Sequence, residues 1–451
     1  MAGQHGGQHR SGTVPDRRAT VFLVGQTVSA TGTQLTKFAL PLIAVLGLHA
    51  TPAQAGMLAA AAWLPGLLAP LYAGLLADRL PRRPLMMTLD ALRLVLVTLP
   101  ALLAAQGGLR LWVLTLLAAL VGLCSSAYST ALFALLPSIA TPEQLTRANG
   151  WLASGESAAE MAGPAVGAVL VRVLAAPLLL LGDAVSYLAS LVTLAAVRVR
   201  PEPAAASGSA AAAAAAAGSG AGSAGAGAPG YLASIAAGFR VLPGLPAVLL
   251  TGVASAVFIA FAGACEALKP VFALRDLGLT PTLFGIAMAL GLSGGVAAGL
   301  LAPRVAERAG LRRTLVGGLF LSGLAEFFII CGGAPGTWYN APLVSVGECV
   351  AAFGVTSYVV ANASLRQLLI PADLRGRVFA VFGFLNGAAY PLGALLGGAL
   401  ASAVGLRTVL ALAATGQVLV ACVLAALRRR LPVTLAEAAP AAGADPEPVP
   451  A

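Results

Sequence analysis

Gly74-Leu75-Leu76-Ala77-Asp78-Arg79-Leu80-Pro81-Arg82-Arg83 closes one long apolar stretch and precedes the next, and its first part returns downstream as Gly299-Leu300-Leu301-Ala302-Pro303-Arg304. Working outward from it, Pro41, Pro52 and Gly56 recur with identical spacing as Pro270, Pro281 and Gly285. Pro142 and Leu145 recur as Pro371 and Leu374, and Pro164 recurs as Pro391. All the offsets fall between 225 and 229 residues, so one multi-helix unit was duplicated.

Composition says what kind of unit it is. Of 451 residues 59% are hydrophobic and only 10% charged, too few polar groups to cover a soluble chain of this length. Apolar stretches lie at 20–48, 54–77, 84–106, 109–136, 149–173, 177–197, 246–274, 282–303, 312–332, 341–364, 376–403 and 406–427. Each is close to the roughly 20 residues a bilayer core requires. The expectation is an all-α membrane protein with twelve transmembrane helices in two pseudo-symmetric six-helix bundles, residues 20–197 and 246–427. Two repeated halves of this kind mark secondary transporters, whose substrate site lies between the repeats near mid-membrane.

The net charge of +10 reads as topology rather than as a nucleic-acid partner. With both termini in the cytoplasm, twenty of the 27 Lys+Arg fall on the inner side and four outside (Arg110, Arg172, Arg275, Arg407). Lys37, Arg93 and Lys269 lie within spans. The positive-inside rule therefore orients the chain in the plasma membrane. Residues 1–19 are polar and form no cleavable signal, so the first span is expected to stay.

Cys124, Cys265, Cys331, Cys349 and Cys422 stand singly in apolar spans, and the three histidines lie in the tail and an outer loop, so no metal site is expected. Residues 198–245 are expected to be a cytoplasmic linker rich in Ala, Gly and Ser, with eight alanines at 210–217. It ends in an interfacial helix at 231–242 whose apolar face is Leu232, Ile235, Phe239 and Leu242. Residues 428–451 read as a cytoplasmic tail.

The segment 74–83 resembles the loop signature of the major facilitator superfamily, G-x-x-x-D-[RK]-x-G-[RK]-[RK], with Pro81 in place of the usual glycine. The resemblance implies a conformational latch of Gly74, Asp78, Arg79, Arg82 and Arg83 that joins the two bundles on the cytoplasmic side when the carrier opens outward. Gly150, Gly163, Pro164 and Gly167 resemble the family's antiporter motif in span five, with Ala159 and Ala168 where glycine is usual. Small residues there let helices approach closely, and Pro164 removes a backbone donor. Gly25-Gln26, Ala39-Leu40-Pro41, Asp90 with Arg93, Asp183-Ala184-x-Ser186-Tyr187 and Leu374-Arg375-Gly376-Arg377-Val378 extend the likeness to the enterobactin and macrolide exporter subgroup.

Charge inside a bilayer is costly, so it is where mechanism is sought. Glu156 and Glu160 share one face of span five and are candidates for proton coupling. Asp90 and Arg93 read as a structural ion pair, and Asp183 as a helix-start cap or packing contact. The resemblance implies a peripheral span nine, which makes Glu326 less suited to line a cavity than Glu348. Lys37 and Glu266 correspond under the repeat and are expected to form an outer gate, with Lys269 competing for Glu266. Span one carries Gln26, Thr27, Ser29, Thr31, Thr33, Gln34 and Thr36, a polar set expected to face a watery cavity. Gln26, Thr33, Gln34, Tyr358 and Asn362 are the candidate cargo contacts.

The expected function is secondary active transport, export of an amphipathic organic molecule (a drug, a macrolide-like antibiotic or a siderophore) coupled to protons by alternating access. It needs no cofactor beyond the proton gradient and no nucleic acid, and the chain is expected to work as a monomer in the bilayer. A lipid or lysolipid flippase on the same scaffold is an open alternative. A membrane-embedded transferase is a remoter one, because the outer loops are short and no metalloprotease, nucleotide-binding or nucleophile-elbow motif occurs.

Overall fold

The computed structural model describes residues 17–139, 142–196, 231–371 and 374–427. The expected tails fall largely outside the described residues, as does most of the linker, 197–230. The first half comprises α1 (Arg17–Leu42), α2 (Pro52–Arg79), α3 (Arg82–Ala105), α4 (Leu111–Ile139), α5 (Pro142–Leu170) and α6 (Leu180–Ala196). A short α7 (Tyr231–Val241) leads into α8 (Pro246–Val271), α9 (Pro281–Ala309), α10 (Leu311–Ile330), α11 (Asn340–Leu369), α12 (Arg375–Val404) and α13 (Leu406–Ala426). Among the described residues there is no strand, and nine helices are long and apolar enough to cross a membrane.

Helix ends depart from the expected spans where polar turns prolong an apolar core. α5 begins at Pro142 rather than 149, because proline suits the first helical position and the mostly polar run Glu143-Gln144-Leu145-Thr146-Arg147 continues the helix. α9 and α11 run on to Ala309 and Leu369 for the same reason.

The duplication is visible in packing. α1 packs on α5 and α6, α2 on α4, and α3 on α4 and α6; in the second half α8 packs on α12 and α13, α9 on α11, and α10 on α11 and α13. It persists down to single hydrogen bonds. Past Pro41 and Pro270 the helices widen into π turns, Ile43–Gly47 and Phe272–Asp276, closed by Leu48 N–H to Ile43 O and Leu277 N–H to Phe272 O, both 3.0 Å. The next turn puts His49 (φ 51°) and Gly278 (φ 64°) at equivalent left-handed positions.

α7 buries Tyr231, Ser234, Ile235 and Leu242 against Val378, Val381 and Phe382 of α12, and Gly238 meets the Arg377 carbonyl. Phe239, expected on the apolar face, is 46% exposed. Close contact with α12 selects the glycine-bearing face instead.

The two halves meet through α2 on α12 and α5 on α9. We call the end with the 42–52 and 271–281 turns distal, and the end with 79–82 and 309–311 proximal. At the distal end a Cβ on Gly56 would strike the Ala394 carbonyl, and one on Gly285 would lie 2.7–2.9 Å from Ala168, Phe38 and Pro164. Phe38 stacks on Phe284 at 6.1 Å, Ala53 N–H donates to Ser402 at 3.1 Å, and Arg275 donates to the Val45 carbonyl at 2.9 Å. Nearer the proximal end Gly66, Gly150, Gly299 and Gly376 face open space. Among the described residues these contacts between the halves lie at the distal end, and those glycines nearer the proximal end meet no neighbour.

Candidate functional site: polar networks inside two bundles

α5 presents Gly155, Ala159, Gly163 and Gly167 at four-residue spacing, one stripe along a helix. A Cβ at Gly155, Gly163 or Gly167 would press into Thr27, Gln34 or Phe38, so this stripe seats α1. Gly163 and Gly167 of the expected antiporter-like motif belong to it. Gly150 does not, and Gly155, which the motif spacing passes over, takes its place. The neighbouring stripe holds Glu156, Glu160, Pro164 and Ala168. Its distal members touch α9 at Gly285, while Glu156 and Glu160 are exposed where α5 and α9 have separated. Lys37, also exposed, is near enough to Glu160 for their charges to interact. A cleft of about 410 Å³ opens proximally between α1 and α5, lined by Thr27, Arg147, Gly150, Trp151, Ser154 and Gly155.

The polar side of α1 turns away from this cleft more than its sequence suggests. Gln26 is 7% exposed and donates to the Tyr128 hydroxyl at 2.8 Å. Ser190 contacts both and donates to Asp90 at 2.7 Å. Asp90 pairs with Arg93, whose guanidinium lies over Tyr128 at 4.1 Å and Tyr187 at 4.5 Å. Thr36 donates to fully buried Asp183 at 2.6 Å, and Ser186 donates to it at 2.9 Å. Asp183 is thus a helix-packing contact rather than a cap. Thr33 contacts the Tyr187 hydroxyl and donates to the Ser29 carbonyl, while Thr27 and Thr31 donate to carbonyls one turn back. Of the expected cavity set of span one, Gln26 is buried on Tyr128 and Ser190, and Thr33 is half-buried with its contacts inside the bundle. Neighbouring helices and the helix's own carbonyls satisfy these groups, so water is not required.

Tyr358 is similarly internal, 3% exposed and donating to the Thr251 carbonyl at 2.9 Å. Asn362 is 5% exposed with an unpartnered Oδ1, near the level of buried Arg366, which lies over Phe382 at 4.2 Å. Gln34 is half-buried against Gly163.

The second bundle concentrates charge on Lys269, which is 2% exposed. Its ammonium donates to Glu266 at 2.7 Å, lies 3.6 Å from Glu326 and contacts Glu348. Three helices, α8, α10 and α11, thereby converge on one lysine. Oxygens of the three carboxyls lie within 4.8 Å of one another, and two ionised carboxylates at 4.8 Å repel by about 3 kcal/mol at an effective dielectric near 20. Glu326, on the span expected to be peripheral and less suited to line a cavity than Glu348, joins this cluster as a buried member. Among the described residues Glu266 pairs with Lys269 and not with Lys37. The partner one turn along α8 is held in reach by the helix itself, whereas a pair across the cavity needs two bundles aligned.

Arg82 donates to the Ala134 carbonyl at 2.9 Å, and Arg83 to Leu194 and Ala195 at 3.1 and 2.7 Å, tying α3 to the ends of α4 and α6. Gly74, Asp78 and Arg79 are in the last turns of α2, and their side chains lie outside the described residues.

A duplicated two-bundle chain with polar networks sealed inside each bundle has relatives. It is 28% identical over 409 residues to multidrug efflux pump Tap of Mycobacterium tuberculosis, covering 88% of this chain and 90% of that protein. It is 24% identical over 339 residues to macrolide efflux protein A of Streptococcus pyogenes, covering 74% and 77%. The crystal structure of a bacterial ferroportin homologue in its inward-facing state superposes with a TM-score of 0.67 at 17% identity, over 91% of this chain and 98% of that one. Its outward-facing state, at 17% identity over 92% and 99%, scores 0.53. The Major Facilitator Superfamily profile matches residues 22–268 and 250–451. The chain is a multi-pass membrane transporter that belongs to the major facilitator superfamily, with drug and macrolide exporters among its relatives.

Proposed function

We propose that the protein exports amphipathic organic molecules across the bacterial plasma membrane, driven by protons entering in exchange. The observation that carries this reading is the one-sided closure. The halves touch at the distal end through small residues and part proximally, as an alternating-access carrier does when open to one side. The arginine distribution supports a cytoplasmic proximal side, and with it cytoplasmic termini. The relatives pump drugs and macrolides, which favours a bulky cargo over a sugar or an ion. In this scheme Asp78 and the arginines around it latch the proximal side in the opposite state, Gly163 and Gly167 shape the α1–α5 contact, and Pro164 meets α9 at Gly285. Glu156 and Glu160 carry protons at the α5 opening, where Lys37 is near enough to Glu160 for their charges to interact. The chain works as a monomer on the proton gradient alone.

An accumulation panel in an efflux-deficient bacterial host tests the proposal, using macrolides, lipophilic dyes and a catecholate siderophore, each with and without a protonophore. Expression should lower accumulation of at least one cargo, and the protonophore should restore it. Unchanged accumulation across the panel, or export indifferent to the protonophore, would sink the reading.

A further inference from the structure

The Lys269 cluster contains one ammonium and three carboxyls, and the count does not balance. Cys265 and Glu266 accompany Lys269 on α8, Glu326 faces it from α10 and Glu348 from α11. Tyr390 on α12 is the remaining titratable neighbour, and Gln417 on α13 contributes only an amide donor to Cys265, at 3.5 Å. Among the described residues no second cation forms an ion pair with these carboxyls. The imbalance sits in protein rather than in water, since the side chains of Glu326 and Glu348 are 8% and 15% exposed. A bare double negative charge there would be costly, and protonation is the ordinary way buried carboxyls avoid it. The Asp90–Arg93 network of the first bundle has one charge of each sign and carries no such excess.

Access is as informative as charge. Glu266 is 48% exposed, the one open member of the cluster. On α8 it lies between the face that packs on α12, where Ala264 and Ala267 meet Gly397 and Ala394, and the Lys269 face turned to α10 and α11. It is five residues, about 7 Å, short of the distal end of α8, at the edge of the seam where Ala60 of α2 meets Ala267 and Ala394. A group at that depth is reached from the proximal side while the distal seam is shut, and from the distal side once the seam opens.

We propose that the Lys269 cluster is an exchangeable-proton site, in which Glu266 takes protons from the space between the bundles and shares them with Glu326 and Glu348. The inference rests on the proton-driven reading above and adds a site in the second bundle to the α5 carboxylates of the first. No bond other than O–H changes. A proton leaving bulk water binds a carboxylate oxygen, and the cluster's net charge falls by one negative unit for each proton taken up.

The test uses the full chain in lipid nanodiscs and infrared difference spectra recorded across a pH titration. Wild-type protein should show a protonated-carboxyl band at neutral pH that shifts in deuterated buffer and is lost as pH rises. Glu326→Gln and Glu348→Gln keep volume and leave a carboxyl for Lys269, and each should remove part of the band. The double variant should remove most of it, and a Glu156→Gln, Glu160→Gln pair should leave it in place. If the double variant does not express, the two single variants decide. A full band in those variants, or a band lost only with the α5 pair, overturns the inference. Either result leaves the exporter reading standing, because the protonophore experiment tests that reading without reference to this cluster.

Discussion

Gly285→Val should drive the carrier out of the distally closed state. At Gly285 an added Cβ stands 2.7 Å from the Ala168 Cβ, 2.8 Å from the tip of the Phe38 ring and 2.9 Å from the Pro164 carbonyl oxygen, against an ordinary contact of 3.4 Å or more. The shortfall is thus 0.5 to 0.7 Å before the two valine methyls are counted. Phe38 can swing, but the Pro164 oxygen is backbone of α5 and cannot. Overpacking of this kind costs about 1–3 kcal/mol. The cost falls only on the state in which α5 and α9 touch, so the closed population should drop roughly 5- to 150-fold relative to the open one. Cysteines at Ala53 and Ser402, whose backbone N–H and hydroxyl lie 3.1 Å apart when the seam is shut, report on it in an otherwise cysteine-free background. Cross-linking should slow strongly in Gly285→Val and stay at the parental rate in Gly299→Val, because that glycine of the same helix faces open space. Parental cross-linking in a well-inserted Gly285→Val protein would refute the claim that this seam opens and closes.

Three further outcomes are expected. Arg275→Ala removes the bond to the Val45 carbonyl; the arginine is exposed, so about 1 kcal/mol and a roughly fivefold loss of closure are expected in the same cross-linking assay. Asp90→Asn strands the buried Arg93 charge and should lower stability by about 3 kcal/mol or more, read as a large fall in melting temperature in detergent; a shift within error would show that Tyr128 and Tyr187 suffice to hold the arginine. Asp78→Asn should insert normally and lose most transport, because it removes a charge that favours one of two conformations; efflux at the wild-type rate would count decisively against the latch.

Much of the fold could be read because its signals are periodic and repeated. Pro41, Pro52 and Gly56 mark the same turns as Pro270, Pro281 and Gly285, and the apolar length of each stretch locates each helix, with ends up to seven residues off where polar turns extend it. Side-chain direction was harder. The hydroxyls of α1 looked like a wet surface, yet Gln26 and Thr36 reach Tyr128 and Asp183, partners 102 and 147 residues away. A polar residue in a span has to be satisfied, and sequence does not say whether water, a neighbouring helix or its own backbone does it. The cluster shows the same limit. Glu266 and Lys269 are visibly one turn apart, but Glu326 and Glu348 join them only through tertiary packing, with α10 held on α11 and α13, which themselves contact α8. One signal did exist, since four charges in adjoining spans of a single half must be sheltered together.

Duplication builds an interface in which each contact comes twice, as Gly56 on α12 and Gly285 on α5 do. The bond between Arg275 and Val45 breaks that rule. Under the repeat offset of 229, position 275 in the second copy corresponds to Leu46 in the first, so only one copy carries the donor. In a fused pair each position can drift without its twin, and the arginine of one π turn gives the other turn's carbonyl a partner. The two resting states of such a machine need not be equally deep. Asymmetric bonds on one rim, this one and that of Ala53 to Ser402, are a simple way for a duplicated chain to acquire a preferred direction of rest, and with it a side of the membrane on which to wait for cargo.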